Sequence, residues 1–540
     1  MNESHRAGRL TRACAALAVL LVLANASALP AAAQEAAQLY QQHCASCHGA
    51  TRTGAMGPAL LPESLERARD AELQQVIRAG RPATQMPAFG TDKGPLGREQ
   101  IESLVRYVKT PAQPAPTWTA ADIESSRVFD VAAANAPAER VWRGDLMNLF
   151  VVVEGGDHHV SLVDGDRFEV IHRFPTRFAL HGGPKFSPDG HYVYFGSRDG
   201  WITKYDLWQL NVVAEVRAGL NMRNIAVSAD GKWVMAANTL PHSVVLFDAD
   251  LKLARLFPAT TRDGSISSRV SAVYDAAPRK SFVVALKDVA ELWEISYDPN
   301  AEPVFEGYVH DYRMGEAIAN KGPFAIRRTK LDEPLDDFFF DASYRHAIGA
   351  ARPKAGSDVA QGQVVNLDVR RRIATIDLPG MPHLGSGITW PWTAPDGHKT
   401  TVLASPNLRD GVVTVIDMQT WKTVRQVKTL GPGFFLRSHE ASRFAWVDAM
   451  MSPRKDTLML IDKQTLQPAG TVTATPGKTL AHVEFTHDGR YALASLWEDD
   501  GALVVYDAQT MTEVKRLPMS KPVGKYNLGN KIGHSEGTSH

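Results

Sequence analysis

The stretch FALHGGPKFSPDGHYVYFGSRDGWITKYDLW, Phe178 to Trp208, decides how this chain is read. It opens as an apolar strand and turns at Ser187-Pro188-Asp189-Gly190. It then alternates through Tyr192 to Phe195, turns again at Asp199-Gly200, and closes a third strand on Tyr205-Asp206. Asp-Gly pairs tolerate the backbone of a tight reversal, and alternation gives each strand one face to bury. A single such unit cannot cover both faces of its sheet, so it must recur to make a core.

It does recur. The order of strand, Asp-Gly-like turn, strand and apolar run ending in Asp is followed through Leu149 to Phe174, Gly183 to Val216, Asn224 to Phe257 and Ala272 to Tyr297. It continues through Asp337 to Ile376, Ile388 to Val427, Phe434 to Val472 and His482 to Leu517. A period of about 40 residues with four short strands per unit predicts a β-propeller, and these eight units close a ring. A terminal segment that returns to the first blade would bring Tyr526 to the rim.

In a propeller the segment entering each innermost strand lies on one rim of the axis. His181 precedes Asp189 by eight positions, Arg223 precedes Asp230 by seven, and His482 precedes Asp488 by six, so three polar side chains share one phase and point at one place. His383, in Met381-Pro382-His383-Leu384-Gly385-Ser386-Gly387, reaches the axis by a longer, glycine-bearing loop that can bring an imidazole in and withdraw it. His191, His346, His398, His439 and His487 fall at inter-strand turns and read as structural. The charges between the fourth and fifth units, Arg313, Arg327, Arg328, Lys330, Asp332, Glu333, Asp336 and Asp337, read as a solvated surface.

The whole 540-residue chain is 44% apolar, and its Lys+Arg and Asp+Glu counts are equal at 59 each, which argues against a nucleic-acid footprint. Residues 1–33 read as a secretory signal peptide: Arg6, Arg9 and Arg12, an apolar run from Ala15 to Leu23, and small residues ending at Ala33. That run is too short for a membrane span. The chain is thus expected in the periplasm, with no membrane span in its mature form.

Of three cysteines, Cys14 lies in that leader, which leaves Cys44 and Cys47. Cys44-Ala45-Ser46-Cys47-His48 is the pattern of covalent c-type heme attachment: two thioethers on one helical turn, with His48 as proximal iron ligand. Met86, in Gln85-Met86-Pro87, is the expected sixth ligand. Met56 competes for that place, its other role being to pack against the porphyrin. Helical patterns at 36–43, 71–79 and 98–109 complete a small all-α cytochrome c domain over 34–110. The Pro-rich run 111–116 opens a linker to 143, and an all-β eight-bladed propeller fills 144–540. The last residues, Ser535 to His540, read as disordered.

An exported c-type cytochrome followed by an eight-bladed propeller resembles the cytochrome cd1 family. The motifs that carry the resemblance are Cys44 to His48, Gln85 to Pro87, Leu180-His181 with Gly196 to Gly200, Pro382-His383 and Lys525-Tyr526-Asn527. It implies a noncovalent heme d1 on the propeller axis, His181 as its proximal ligand and His383 approaching the distal face. The nitrite reductases of that family present two distal histidines, whereas Pro334 to Asp341 here reads PLDDFFFD, with none. The Asp-Asp-Phe-Phe-Phe-Asp run, the His383 loop, His482 and Tyr526 are similar instead to the dihydro-heme d1 dehydrogenase branch.

That likeness implies conversion of a propionate of dihydro-heme d1 to an acrylate. His482 is the expected base, Tyr526 positions the side chain, Arg198 and Arg223 are candidates for pairing with the tetrapyrrole carboxylates, and electrons leave through heme c to a redox protein. A cytochrome cd1 nitrite reductase is the expected recipient of the product. Two other functions are weighed beside this one, a heme d1 nitrite reductase and a non-catalytic heme d1 carrier.

Overall fold

A computed structural model describes residues 31–55, 57–66, 68–81, 86–90, 94–306, 318–351 and 359–534. The leader to residue 30 with Cys14, and Met56, Gln85, Arg313 and the tail 535–540, lie outside the described residues. The chain divides into two compact units, Met1–Ala115 and Pro116–His540. No helix among the described residues is long and apolar enough to cross a membrane.

The first unit is helical. Its helices include Ala31–His43, Ala45–His48, Asp70–Ala79 and Arg98–Val108. Ile101, Leu104, Val105 and Val108 recur at helical spacing and are the buried face of the last one. They pack with Tyr40 and Leu96. The Tyr40 hydroxyl donates to the Gly49 carbonyl at 2.7 Å and so ties the first helix to the Cys-x-x-Cys-His turn.

Among its described residues the second unit contains eight antiparallel sheets of four or five strands, the blades, numbered here in chain order from Leu149. The turn chemistry explains their regularity. In blades 2, 3 and 8 a hydroxyl two residues before an Asp donates to it, Ser187 to Asp189 at 2.5 Å, Ser228 to Asp230 at 2.6 Å and Thr486 to Asp488 at 2.6 Å. The following Gly190, Gly231 and Gly489 take φ of 68°, 69° and 71°, the left-handed turn that glycine adopts without penalty.

Blade 1 has no innermost strand of its own from the N-terminal side. Pro522–Asn527 supplies it, pairing antiparallel with Leu149–Glu154. The two ends of the repeat array close the ring in this way, and Tyr526 reaches the hub. Lys525, Asn527 and Leu528 are fully buried. A chain ending at Ser520 should therefore melt more than 10 °C lower and less cooperatively by circular dichroism, because blade 1 loses its innermost strand from a net stability of only about 5–15 kcal/mol.

The segment read as a linker is not bare chain after Pro116. Val128–Phe129 pairs with Asn211–Arg217 as a fifth, outermost strand of blade 2. Trp118 donates its indole N–H to the Arg217 carbonyl at 2.9 Å. In the long connection after blade 4's third strand, Val304–Glu306 pairs with Ile318–Asn320 as a separate hairpin. Arg328 there is no solvated charge, since it pairs with Glu291 at 2.8 Å and lies 4.4 Å from the Trp293 ring centroid.

Candidate functional site

In the first unit Cys44 and Cys47 are half-buried free thiols flanking and entering the helix Ala45–His48. Burial pushes the Cys44 thiol up to about 11, with Cys47 adding to the shift. His48 Nδ1 lies 2.8 Å from the Pro58 carbonyl, which can only accept, so Nδ1 carries the proton and Nε2 keeps its lone pair. Burial lowers the His48 pKa and holds the ring in the neutral form that ligates metal. A Cβ on Gly57 would lie 2.8 Å from His48 Cε1, so only glycine lets the chain cross the imidazole there. Met86 is half-buried, its carbonyl accepting from the Arg81 N–H at 3.1 Å. Two thiols, a neutral imidazole and a thioether in one small helical unit are the donor set a covalent c heme requires.

In the second unit His181 enters the innermost strand of blade 2, its N–H bonded to the Gly196 carbonyl at 2.9 Å. Its Nδ1 donates to the Arg223 carbonyl at 2.8 Å, and its Nε2 accepts from the Arg198 guanidinium at 2.8 Å. Nε2 thus presents a lone pair, and Arg198 covers the atom that a metal would take. Arg223 is itself fixed from the neighbouring blades: Nε donates to the Ser271 carbonyl at 2.8 Å, and the guanidinium stands 3.6 Å from Asp337. Asp337 also accepts from the Tyr274 hydroxyl at 2.8 Å. Asp337 is therefore a wall of the hub rather than part of a solvated acidic run.

His383 sits ahead of a short 3-10 turn, Leu384–Ser386, with Nδ1 donating to the Phe434 carbonyl at 3.0 Å. Its Nε2 makes no hydrogen bond with the described residues. Burial lowers its pKa, with Arg223 and Arg437 acting in the same direction and Asp337 opposing. A run of ring contacts leads from it to the other candidates: His383 to Phe434 at 4.2 Å between centroids, Phe434 to Phe435 at 4.8 Å, Phe435 to His482 at 4.6 Å, and His482 to Tyr526 at 5.4 Å. Tyr526 adjoins the His181 loop, because a Cβ on Gly183 would lie 3.1 Å from Tyr526 Cε1. His181, His383, His482 and Tyr526, scattered through the sequence, are thereby gathered at one hub.

His482 departs from its strand. Its φ is 49°, and the register of Leu480–Phe485 against Tyr491–Leu496 shifts between Ala481 and Val483. A bulge with one residue in the left-handed region re-aims a side chain at a cost that its surroundings must hold. Lys525 provides that hold, donating to the His482 carbonyl and to Ser495 Oγ at 2.8 Å. Burial drives the His482 pKa well below the usual histidine value, and Lys525, Arg437 and Lys531 add to the shift, so the imidazole is a neutral base. Burial raises the Tyr526 pKa to about 12, which leaves a neutral hydroxyl beside that base.

The histidines read as structural are engaged at turns: His191 with Asp206 at 3.1 Å, His346 with Asp341 at 3.0 Å and His398 with Asp417 at 3.4 Å, while His439 accepts from the Ala441 N–H at 3.0 Å. Sequence reading missed Lys185, Arg437, Glu484, Lys525 and Lys531, which also face the hub. For Glu484 the signal was a charge inside an otherwise apolar innermost strand, Leu480-Ala481-His482-Val483-Glu484-Phe485, whereas Lys531 comes from the terminal helix and gave none.

Residues 144–310 and 316–531 match the Cytochrome D1 heme domain family, and residues 31–108 match the family described as cytochrome c oxidase, cbb3-type, subunit III. The chain is 52% identical to dihydro-heme d1 dehydrogenase of Pseudomonas aeruginosa, over 97% of this chain and 99% of that one. It is 26% identical to a nitrite reductase of Stutzerimonas stutzeri, over 95% and 96% respectively. Among solved structures, dihydro-heme d1 dehydrogenase NirN in complex with DHE matches with a TM-score of 0.84 at 52% identity, covering 92% of this chain and 100% of that one. The chain belongs to the Cytochrome D1 heme domain family, with a c-type cytochrome domain ahead of that heme domain.

Proposed function

We propose that this chain is the oxidoreductase that converts a propionate of dihydro-heme d1 to an acrylate, the last step of heme d1 synthesis. The observation that carries the reading is the pairing of a neutral base, His482, with a neutral hydroxyl, Tyr526, on the wall of a hub that also holds two imidazoles, His181 and His383, each held through Nδ1 by a backbone carbonyl. His181 and His383 hold the iron of the tetrapyrrole, and Arg198 and Arg223 meet its carboxylates, a guanidinium suiting a carboxylate in two-pronged geometry. The 52% identity along nearly the whole chain supports the same activity.

His482 takes the proton from the side chain and Tyr526 orients the carboxylate end. When bound, the c heme held by Cys44, Cys47, His48 and Met86 supplies a one-electron outlet. A redox protein accepts the electrons beyond it, and a cytochrome cd1 nitrite reductase receives the product. The mature chain begins after residue 33 and works in the periplasm, where c-type attachment and the leader would place it.

The nitrite-reductase reading has the 26% relative in its favour, but the chemistry of the hub opposes it. Phe338, Phe339 and Phe340, at 0%, 5% and 1% exposure, are packed in the core, and this run is the one that, by the resemblance, stands where the nitrite reductases carry a further distal histidine. The pKa values of His383 and His482 are both lowered, so neither is a ready proton donor to a bound oxyanion. The test is an incubation of oxidised holoprotein with dihydro-heme d1, followed by absorption and mass spectra of the tetrapyrrole. Loss of two hydrogens is expected, with no catalytic formation of nitric oxide from nitrite; an unchanged mass would sink the reading.

A further inference from the structure

The innermost strands carry a second set of charges deeper into the ring. Lys185 follows His181 in blade 2, Arg437 follows Phe435 in blade 7, Glu484 follows His482 in blade 8, and Lys531 enters from the helix Leu528–Ile532. Glu484 is 1% exposed and Arg437 4% exposed, yet Glu484 Oε2 and Arg437 Nε meet no hydrogen-bonding partner among the described residues. Orphaned groups of this kind are met by water where the space is polar and roomy. Lys185 and Lys531 stand among them and keep accessible surface. His534, exposed, stands near Lys531 and Lys185.

The spacing joins this passage to the base. The ring of Tyr526 lies 5.4 Å from that of His482, and Lys531 Nζ lies 5.5 Å from the centroid of the same tyrosine. Lys185 Nζ lies 5.8 Å from the Tyr274 ring centroid. Both Tyr526 distances are direct ring contacts, so His482 and Lys531 pack on the same tyrosine.

We propose that Glu484 and Lys531, with Lys185 beyond them, carry the proton that His482 removes from the substrate out along the propeller axis. This rests on the dehydrogenation proposed above. There a side chain –CH2–CH2–COO⁻ becomes –CH=CH–COO⁻, two C–H bonds break, two electrons pass one at a time by way of the c heme to two molecules of an oxidised one-electron redox protein, and two protons must reach bulk water. On that reading a flat macrocycle covers the direct way out. His482, surrounded by Lys525, Arg437 and Lys531, cannot keep the first proton and has to pass it on before the second is taken.

The groups facing Lys531 suit it to receive that proton. Burial lowers its pKa to about 7, with Arg437 and Lys185 in the same direction and Glu484 opposing, so near neutrality a share of it is unprotonated. Burial lowers Lys185 to about 8, with Asp337 opposing. Burial, Lys531 and Lys185 lower His534 as well. Lys531 acts through His482 and touches no reacting atom.

The test uses full-length holoprotein with Lys531→Met, Lys531→His and Glu484→Gln. Single-turnover conversion is followed across pH in H2O and D2O. Independently of turnover, calorimetry of heme d1 binding in two buffers of different ionisation enthalpy counts the protons exchanged. Lys531→Met and Glu484→Gln should convert about tenfold or more slowly with a larger solvent isotope effect. Lys531→His, which still titrates, should recover most of the rate at neutral pH, and Lys531→Met should change the proton count on binding. Wild-type rates, isotope effects and proton counts in Lys531→Met and Glu484→Gln would overturn the proposal. Should wild-type protein itself fail to convert the tetrapyrrole, the dehydrogenase reading falls, and a proton count that Lys531→Met leaves unmoved then overturns the coupling separately.

Discussion

His482→Ala should lower the rate of acrylate formation by about 10²-fold or more, the usual contribution of a positioned base, while dihydro-heme d1 binds within about threefold of wild type. The two effects separate because His482 is no candidate iron ligand. It is 2% exposed and braced between the rings of Phe435 and Tyr526. Its carbonyl is gripped by Lys525. With the pKa lowered by burial first and then by three cations, the base form persists as the solution is acidified through the ordinary histidine range. In Lys531→Met, which removes the group lowered to about 7, the rate should accordingly hold steady down through pH 6.5 and fall only below it. Single-turnover spectra of the tetrapyrrole across pH measure both quantities. An alanine variant within tenfold of wild type would remove His482 from the chemistry, as would an acid limb centred at the usual histidine value.

The blades were legible in the sequence because their signal is local. A hydroxyl, an Asp and a left-handed glycine within four residues make a turn by themselves, as at Ser187, Asp189 and Gly190, and the apolar alternation between turns supplies the faces. The closing strand was legible because the terminal segment of a propeller commonly returns to its first blade. The role of residues 116–143 was not, since Val128–Phe129 is too short to show a period and its pairing is decided by blade 2. Asp337 was misread for a related reason. Its setting comes from Arg223 of blade 3 and Tyr274 of blade 4, and nothing in an acidic run announces partners so distant along the chain. The left-handed backbone of His482 was equally hidden, because Leu-Ala-His-Val reads as plain strand and the bulge is imposed by the Lys525 amine from the last strand of the chain.

His181→Ala should weaken tetrapyrrole binding by at least about 100-fold, because it removes an iron ligand whose supporting hydrogen bonds alone are usually worth 10–100-fold. His181 is the better anchored of the two hub imidazoles. Its N–H is bonded to the Gly196 carbonyl, Leu180 bridges to Ser197, and Nδ1 is held by the Arg223 carbonyl, so Nε2 is delivered from a sheet. His383 stands at a 3-10 turn and has one such support, so its loss should cost less. Absorption titrations with heme d1 measure both, and imidazole in the medium should restore part of the binding to His181→Gly. Arg198→Leu has two opposed effects: it uncovers Nε2, which favours the metal, and it removes a guanidinium from the carboxylates. Its net cost should be well under that of His181→Ala. Were Arg198→Leu to bind as poorly as His181→Ala, recognition would rest on the carboxylates of the macrocycle, and the assignment of His181 as the ligand that seats the iron would fail.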